Sequence, residues 1–169
     1  TMNRLSLQRR AQILSCLVEG NSLRATSRIT GAAKNTVTKL LVDRGQACAE
    51  YQNETLRGLS CKHIQADEIW AFCHAKEKNV PPDKRGVFGY GGVWTWAAIC
   101  AESKLVLSFL VGDRTAATAY VFMKDVASRL THRVQLTTDG LKAYLSAVED
   151  AFGADIDYAT LHKPYGADT

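Results

Sequence analysis

Large apolar side chains recur at intervals of three and four residues through the first part of the chain, the spacing that lines one face of a helix. Ile13, Leu14, Leu17 and Val18 form the first stripe, in a run that begins at Leu7. Gly20 stands where a helix C-terminus wants a residue tolerant of positive φ, and Asn21 and Ser22 offer a cap for a second helix over Leu23 to Ile29. Gly31 breaks that helix. A third opens at Lys34-Asn35-Thr36, with Val37, Leu40 and Leu41 as its buried stripe and Thr38 and Lys39 facing outward. Gly45 to Leu59 then predicts a connecting helix, with Cys48, Tyr51, Thr55 and Leu56 on one side. The expected organisation is a helical domain over 1–45, a linker helix over 46–60 and a second domain over 61–169.

Past residue 60 the pattern changes to short apolar runs separated by turn residues. His63 to Phe72, HIQADEIWAF, brackets Asp67 and Glu68 with Ile64, Ile69, Trp70 and Phe72 and contains no Gly or Pro, which predicts a buried strand. Val93 to Ala101 and Leu105 to Val111 predict a hairpin about Glu102-Ser103-Lys104. Thr115 to Leu130 carries Ala119, Phe122, Met123, Val126, Ala127 and Leu130 at helical spacing. A strand over Val134 to Thr138 ends in Asp139-Gly140, followed by a helix over Leu141 to Phe152 and a last strand over Ile156 to Leu161. Three antiparallel strands, then helix, strand, helix and strand, is an α/β order. It is that of a ribonuclease H-like mixed sheet flanked by helices, in which the first and fourth strands lie parallel in the middle.

That order gives the acids a meaning. A carboxylate inside a buried strand is costly unless it is paired or holds a cation. A solvated edge strand would account for Asp67 and Glu68 taken alone, but Asp139 closes a second such strand. On adjacent strands Asp67 and Asp139 come within reach of one magnesium ion, which favours carboxylate oxygens. Two such ions can activate a water or a 3′-hydroxyl at a phosphodiester. Neighbours on a strand point to opposite faces, so Glu68 is expected to turn away from Asp67 and matter less.

Composition narrows the field. With 46% apolar and 22% charged residues the chain is that of a soluble globular protein, and no run approaches the ~18 apolar residues of a membrane span. No charged, then apolar, then small-residue leader is present. Five cysteines, odd in number and never spaced as CxxC, fit reduced thiols in the cytoplasm. Cys61, His63, Cys73 and His74 match no common zinc spacing. The net charge of +4 hides an asymmetry: residues 1–45 carry +6 and residues 46–169 carry −2.

A basic head built of short helices about a Gly-containing turn matches a helix-turn-helix reader of duplex DNA. Lys34, Asn35, Thr36, Thr38 and Lys39 would face the major groove, with Arg24 and Arg28 on phosphates. A three-helix packing module without a ligand is the alternative. The stretch His74 to Gly92 holds Lys76, Lys78, Lys84 and Arg85 among four glycines, with Phe88 and Tyr90. It suits either a nucleic-acid backbone or a solvated hairpin loop.

With its basic helix-turn-helix, then DEIW, FGYGGVWTWAAI and VQLTTDG, the chain resembles bacterial transposases of the insertion-sequence-one type, members of the DDE recombinases, along essentially its whole length. The resemblance implies DNA transposition: binding of double-stranded transposon ends, metal-dependent cleavage and strand transfer. Asp67 and Asp139 would be the first two catalytic acids and magnesium ligands, with manganese as a substitute. It also implies a bacterial, nucleoid-associated protein and allows a homodimer. The family's third acid is a Glu on a helix beyond the strand that follows the second Asp. Glu149 and Asp150 precede that strand here, and Asp155, Asp157 and Asp168 are not on such a helix. The expectation is therefore a chain cut short of its last catalytic helix, with impaired strand transfer. A non-catalytic DNA-binding regulator derived from a transposase is the alternative.

Overall fold

The computed structural model describes residues 5–161 apart from Phe88, so Phe88 and Asp168 lie outside the described residues. Two units divide the chain, Thr1–Thr55 and Leu56–Thr169.

The first unit contains α1 (Leu7–Val18), α2 (Leu23–Thr30) and α3 (Lys34–Thr55). Ser6 caps α1 by accepting from the Arg9 N–H, and Ser22 caps α2 by accepting from the Ala25 N–H. Gly31 closes α2 with φ at 67°, a left-handed conformation that costs a residue without Cβ little. Ile13, Val37 and Leu40 form the small core, with Leu14, Leu17 and Leu23 packed around it. Val18 and Leu41, expected in the buried stripes, are exposed. With α1 and α2 only 12 and 8 residues long, the three helices share too little surface to cover every apolar position.

The third helix and the connecting helix expected over 46–60 are a single helix that runs through Gly45 and stops at Thr55. One glycine within a helix costs about 1 kcal/mol relative to Ala, which weakens but does not break it. Residues 56–60 belong instead to the second unit. There the Leu59 N–H donates to the Arg129 carbonyl at 2.8 Å, and Leu59 forms a parallel bridge with Leu130.

The second unit is a mixed five-stranded sheet with two helices, which makes the chain an α/β protein with five α-helices among the described residues. In chain order these elements are β1 (His63–Cys73), β2 (Gly91–Cys100), β3 (Val106–Gly112), α4 (Ala116–Ser128), β4 (Gln135–Thr138), α5 (Ala143–Phe152) and β5 (Asp157–Thr160). The sheet order is β3-β2-β1-β4-β5. The first three strands form an antiparallel meander, while β4 runs parallel to both β1 and β5.

The alternation of β1 decides what each face does. Ile64 and Ala66 point into the core with Trp96, Ala98, Leu107 and Leu136, under Phe122 and Met123 of α4 and Tyr144 and Val148 of α5. Gln65, Asp67 and Ile69 point to the opposite face, where Phe109 and Val111 of β3 are also exposed. Asp125 fastens α4 to the sheet: its carboxylate accepts from the Ser108 hydroxyl at 2.5 Å and from the Arg129 guanidinium at 2.7 and 3.0 Å. Among the described residues no helix is long and apolar enough to cross a membrane.

Candidate metal centre

The site is a consequence of unequal strand lengths. The last pair between β1 and β4 is Ala66 with Thr138. Beyond it β1 continues through Asp67 and Glu68, while the chain leaves β4 at Asp139. The Asp139 carboxylate is fixed by accepting from the Leu141 N–H at 2.9 Å, and that of Asp67 accepts from the Glu68 N–H at 2.8 Å. One carboxylate oxygen from each of Asp67, Glu68 and Asp139 lies within 4.8 Å of the others.

The expected pair, Asp67 and Asp139, therefore meets as the strand order required. The expectation that Glu68 stands apart is overturned. Glu68 does point to the helix-covered face, opposite to Asp67, but β4 has ended at this level and no strand separates the two faces. Glu68 reaches round from one side and Asp67 from the other, and both meet Asp139 at the strand terminus.

Glu68 is also the most enclosed of the three, its side chain 1% exposed against 37% for Asp139. Arg114, just beyond β3, donates from Nε to Glu68 at 2.9 Å and from Nη2 to Asp139 at 3.3 Å. Its guanidinium lies over the Trp94 ring, 4.7 Å from the centroid. Burial pushes the Glu68 carboxyl above the usual carboxylate range, and the nearby Asp139 adds to this. The Tyr144 hydroxyl and Arg114 pull the other way. Tyr144, fully buried on α5, has its phenol pushed up by burial and by Glu68. Glu68 Oε1 is buried without a hydrogen-bond partner of good geometry. Three converging carboxylates fit a hard divalent cation. An open trough of about 810 Å³, lined by Gln65, Asp67, Ile69, Thr137 and Asp139, gives access from the uncovered face.

The residues expected to read DNA are all in the first unit and all on its surface. Arg24, Lys34, Asn35 and Thr38 come together with Ser22 and Leu23 around one recess. Arg28, Thr36 and Lys39 are exposed outside it. The Thr38 hydroxyl is turned back onto the Lys34 carbonyl at 3.0 Å, as a mid-helix threonine often is. The four residues weighed as zinc ligands sit near opposite ends of β1, roughly 30 Å apart at strand rise, and do not converge. His63 pairs instead with Glu102, whose carboxyl His63 and then Cys100 hold down to about 2.

Sequence reasoning missed Arg114 and Tyr144. Arg114 lies two residues past the end of β3, so it could be found only by asking what lies beside Asp139 across the sheet. Tyr144 lies within the helix expected over Leu141 to Phe152, where nothing in the local pattern singles it out, and it is fully buried. A scan of the chain against protein-family models finds no match, and no curated protein is significantly similar to it.

Proposed function

We propose that the chain is a DNA-processing protein of the transposase kind, binding duplex DNA through its first unit and carrying a divalent-metal centre for phosphodiester chemistry in its second. The observation that carries this reading is the meeting of Asp67 and Asp139, distant in sequence, where β4 ends beside the middle of the parallel central strand β1. The antiparallel meander followed by parallel strands supports a ribonuclease H-like domain. The recess joining Arg24, Lys34, Asn35 and Thr38 supports a helix-turn-helix. Asp67 and Asp139 would hold magnesium, or manganese in its place, with Glu68 the nearest third donor. A bound ion of this class polarises a phosphodiester oxygen and acidifies an attacking water. Asp67 opens the centre to the trough, the Leu141 N–H holds Asp139 in position, and Arg114 balances the negative charge of Glu68 and Asp139.

The same arginine favours a second reading, a DNA-binding regulator without cleavage, because it already neutralises two of the three acids. Incubating the purified chain with supercoiled plasmid carrying matching ends separates the readings. Under the first, manganese supports weak nicking that Asp67→Asn abolishes, and magnesium supports no complete strand transfer. Duplex binding with no metal uptake and no nicking leaves the regulator.

Two further results are expected. Lys34→Ala with Lys39→Ala weakens duplex binding and flattens its log–log salt dependence by about 0.9 for each phosphate that is no longer neutralised. Binding that is indifferent to salt contradicts the head assignment. Arg114→Gln removes the resident cation and should tighten manganese binding by calorimetry about fivefold, the scale of a partly exposed ion pair. Weaker binding would mean that Arg114 positions the acids instead of competing for them.

A further inference from the structure

The helix-side face of β1 does not end at Glu68. Trp70 and Phe72 come next on it, and both are large, apolar and nearly half exposed, because the helices cover the sheet no further. Their centroids are 5.8 Å apart with the rings tilted by 37°, forming a step of two aromatic faces. Trp70 is paired across the sheet with Trp94, the residue beneath Arg114. At the far end His74 meets Tyr90 edge to face at 4.9 Å. Two large aromatic rings exposed side by side on one strand, with a second aromatic pair just past its end, are uncommon enough to require a reason.

The surroundings specify the reason. Lys76 lies 5.8 Å from the Trp70 centroid and Lys84 lies 6.0 Å from that of Tyr90. Arg114 stands at the other end of the row, over Trp94. The stretch Lys76 to Arg85 carries four basic and two acidic residues. Of the two acids, the Glu77 carboxylate accepts from the Gly92 N–H at 3.0 Å and Asp83 lies 3.8 Å from Lys84. The row is also built into the backbone. A Cβ on Gly92 would press within 3.3 Å of the Trp70 indole nitrogen, and one on Gly91 would collide with Glu77. Gly92 thus leaves the room in which the indole lies across β2, while Gly91 supplies the positive φ of 84° at the start of that strand.

We propose that this row, Trp70, Phe72 and the His74–Tyr90 pair flanked by Lys76, Lys84 and Arg114, binds an unpaired nucleic-acid strand leading into the acidic centre. Bases stack on the rings and phosphates meet the cations. Unpaired bases are required because the base faces within a duplex are already covered by their neighbours. Alternate residues on a strand advance about 6.6 Å, so the row presents successive platforms to an extended strand. The inference deepens the proposed function and rests on it for the strand's relation to the centre. The platform itself is independent of metal.

All three tryptophans, 70, 94 and 96, lie in the second unit, and Trp70 is the exposed indole of the row, so indole fluorescence reports on the unit that carries this surface. The full chain in chelator is titrated with oligothymidine, with a duplex of equal length and with polyglutamate. Oligothymidine is expected to quench emission, more weakly as salt rises, while the duplex and polyglutamate do so at least tenfold less tightly. Phe72→Ala should raise the oligothymidine midpoint about tenfold, the scale of removing one base stack. Phe72→Leu, which keeps the apolar bulk without the ring face, should do nearly the same and serves if the alanine variant fails to fold. Lys76→Gln should reduce the salt slope. No quenching, a midpoint unmoved by Phe72→Leu, or equal quenching by polyglutamate overturns the proposal. Loss of metal binding or of duplex binding in separate assays would instead bear on the proposed function.

Discussion

Asp139→Asn should lose divalent-ion binding by more than a hundredfold while the chain keeps its fold. The substitution is nearly isosteric, and the amide oxygen can still accept from the Leu141 N–H that positions it. What disappears is one negative charge at a point where three carboxylate oxygens lie within 4.8 Å of one another. For unit charges about 4 Å apart at an effective dielectric near 20, the Coulomb energy is roughly 4 kcal/mol. Exposure of Asp139 discounts this, while the double charge of the cation raises it. A loss of about 3 kcal/mol is the expected outcome, equivalent to more than two decades in affinity. Calorimetric titration with manganese measures it, and any manganese-dependent nicking should vanish with it. Asp67→Asn is expected to behave alike. Undiminished affinity in both variants would move the ion, if one binds, away from this strand terminus.

Removing Asp125 should be the most damaging change to stability among the polar residues. Arg129 is nearly enclosed, and Asp125 supplies a two-point contact to its guanidinium as well as an acceptor for the buried Ser108. Truncating Asp125 takes the carboxylate away from a buried guanidinium that keeps the Leu56 carbonyl, at a cost of about 3 kcal/mol. Asp125→Ala is expected to lower the urea midpoint accordingly without changing the slope. Arg129→Met should cost less, since it removes the buried charge itself. The pH dependence has a definite sign. Burial raises the Asp125 carboxyl, but hydrogen bonds from Arg129 and Ser108 and the charge of Arg129 outweigh it and hold the group below the usual aspartate value. A depressed carboxyl stabilises the fold above its unfolded pKa, near 3.9, and loses that contribution as pH falls through its folded value. Acid titration of the wild type should therefore show a component below about pH 4 that Asp125→Ala lacks. An unchanged acid profile would mean that the carboxylate is not what holds α4 to the sheet.

Much of this was legible in the residues, and for identifiable reasons. Elements with an apolar stripe on one side only, such as the segment that became α4, declare both their type and their buried face. The pairing of β1 with β4, and hence the meeting of Asp67 with Asp139, followed from element order. Glu68 did not follow, because alternation along a strand assumes that a sheet continues on both sides, and here β4 stops one residue short. The unbroken α3 was hidden by Gly45, whose cost in a helix is too small to act as punctuation. Arg114 and the step formed by Trp70 and Phe72 depend on contacts across strands and on where helices stop, which no local pattern encodes.

The undivided length of β1 has a consequence for how this gene can change. One continuous strand carries core residues at its start, the acidic centre in its middle and the aromatic row at its end, all held in phase by a period of two. Inserting or deleting a single codon upstream of Asp67 would turn over everything downstream at once, exposing what was buried and exchanging the places of Asp67 and Glu68. Length variation in β1 should accordingly be forbidden, and insertions should be confined to the turns around it. A library of single-codon insertions scanned for soluble expression would display this as a gap spanning 63–73 with tolerance resuming at the exposed positions that follow.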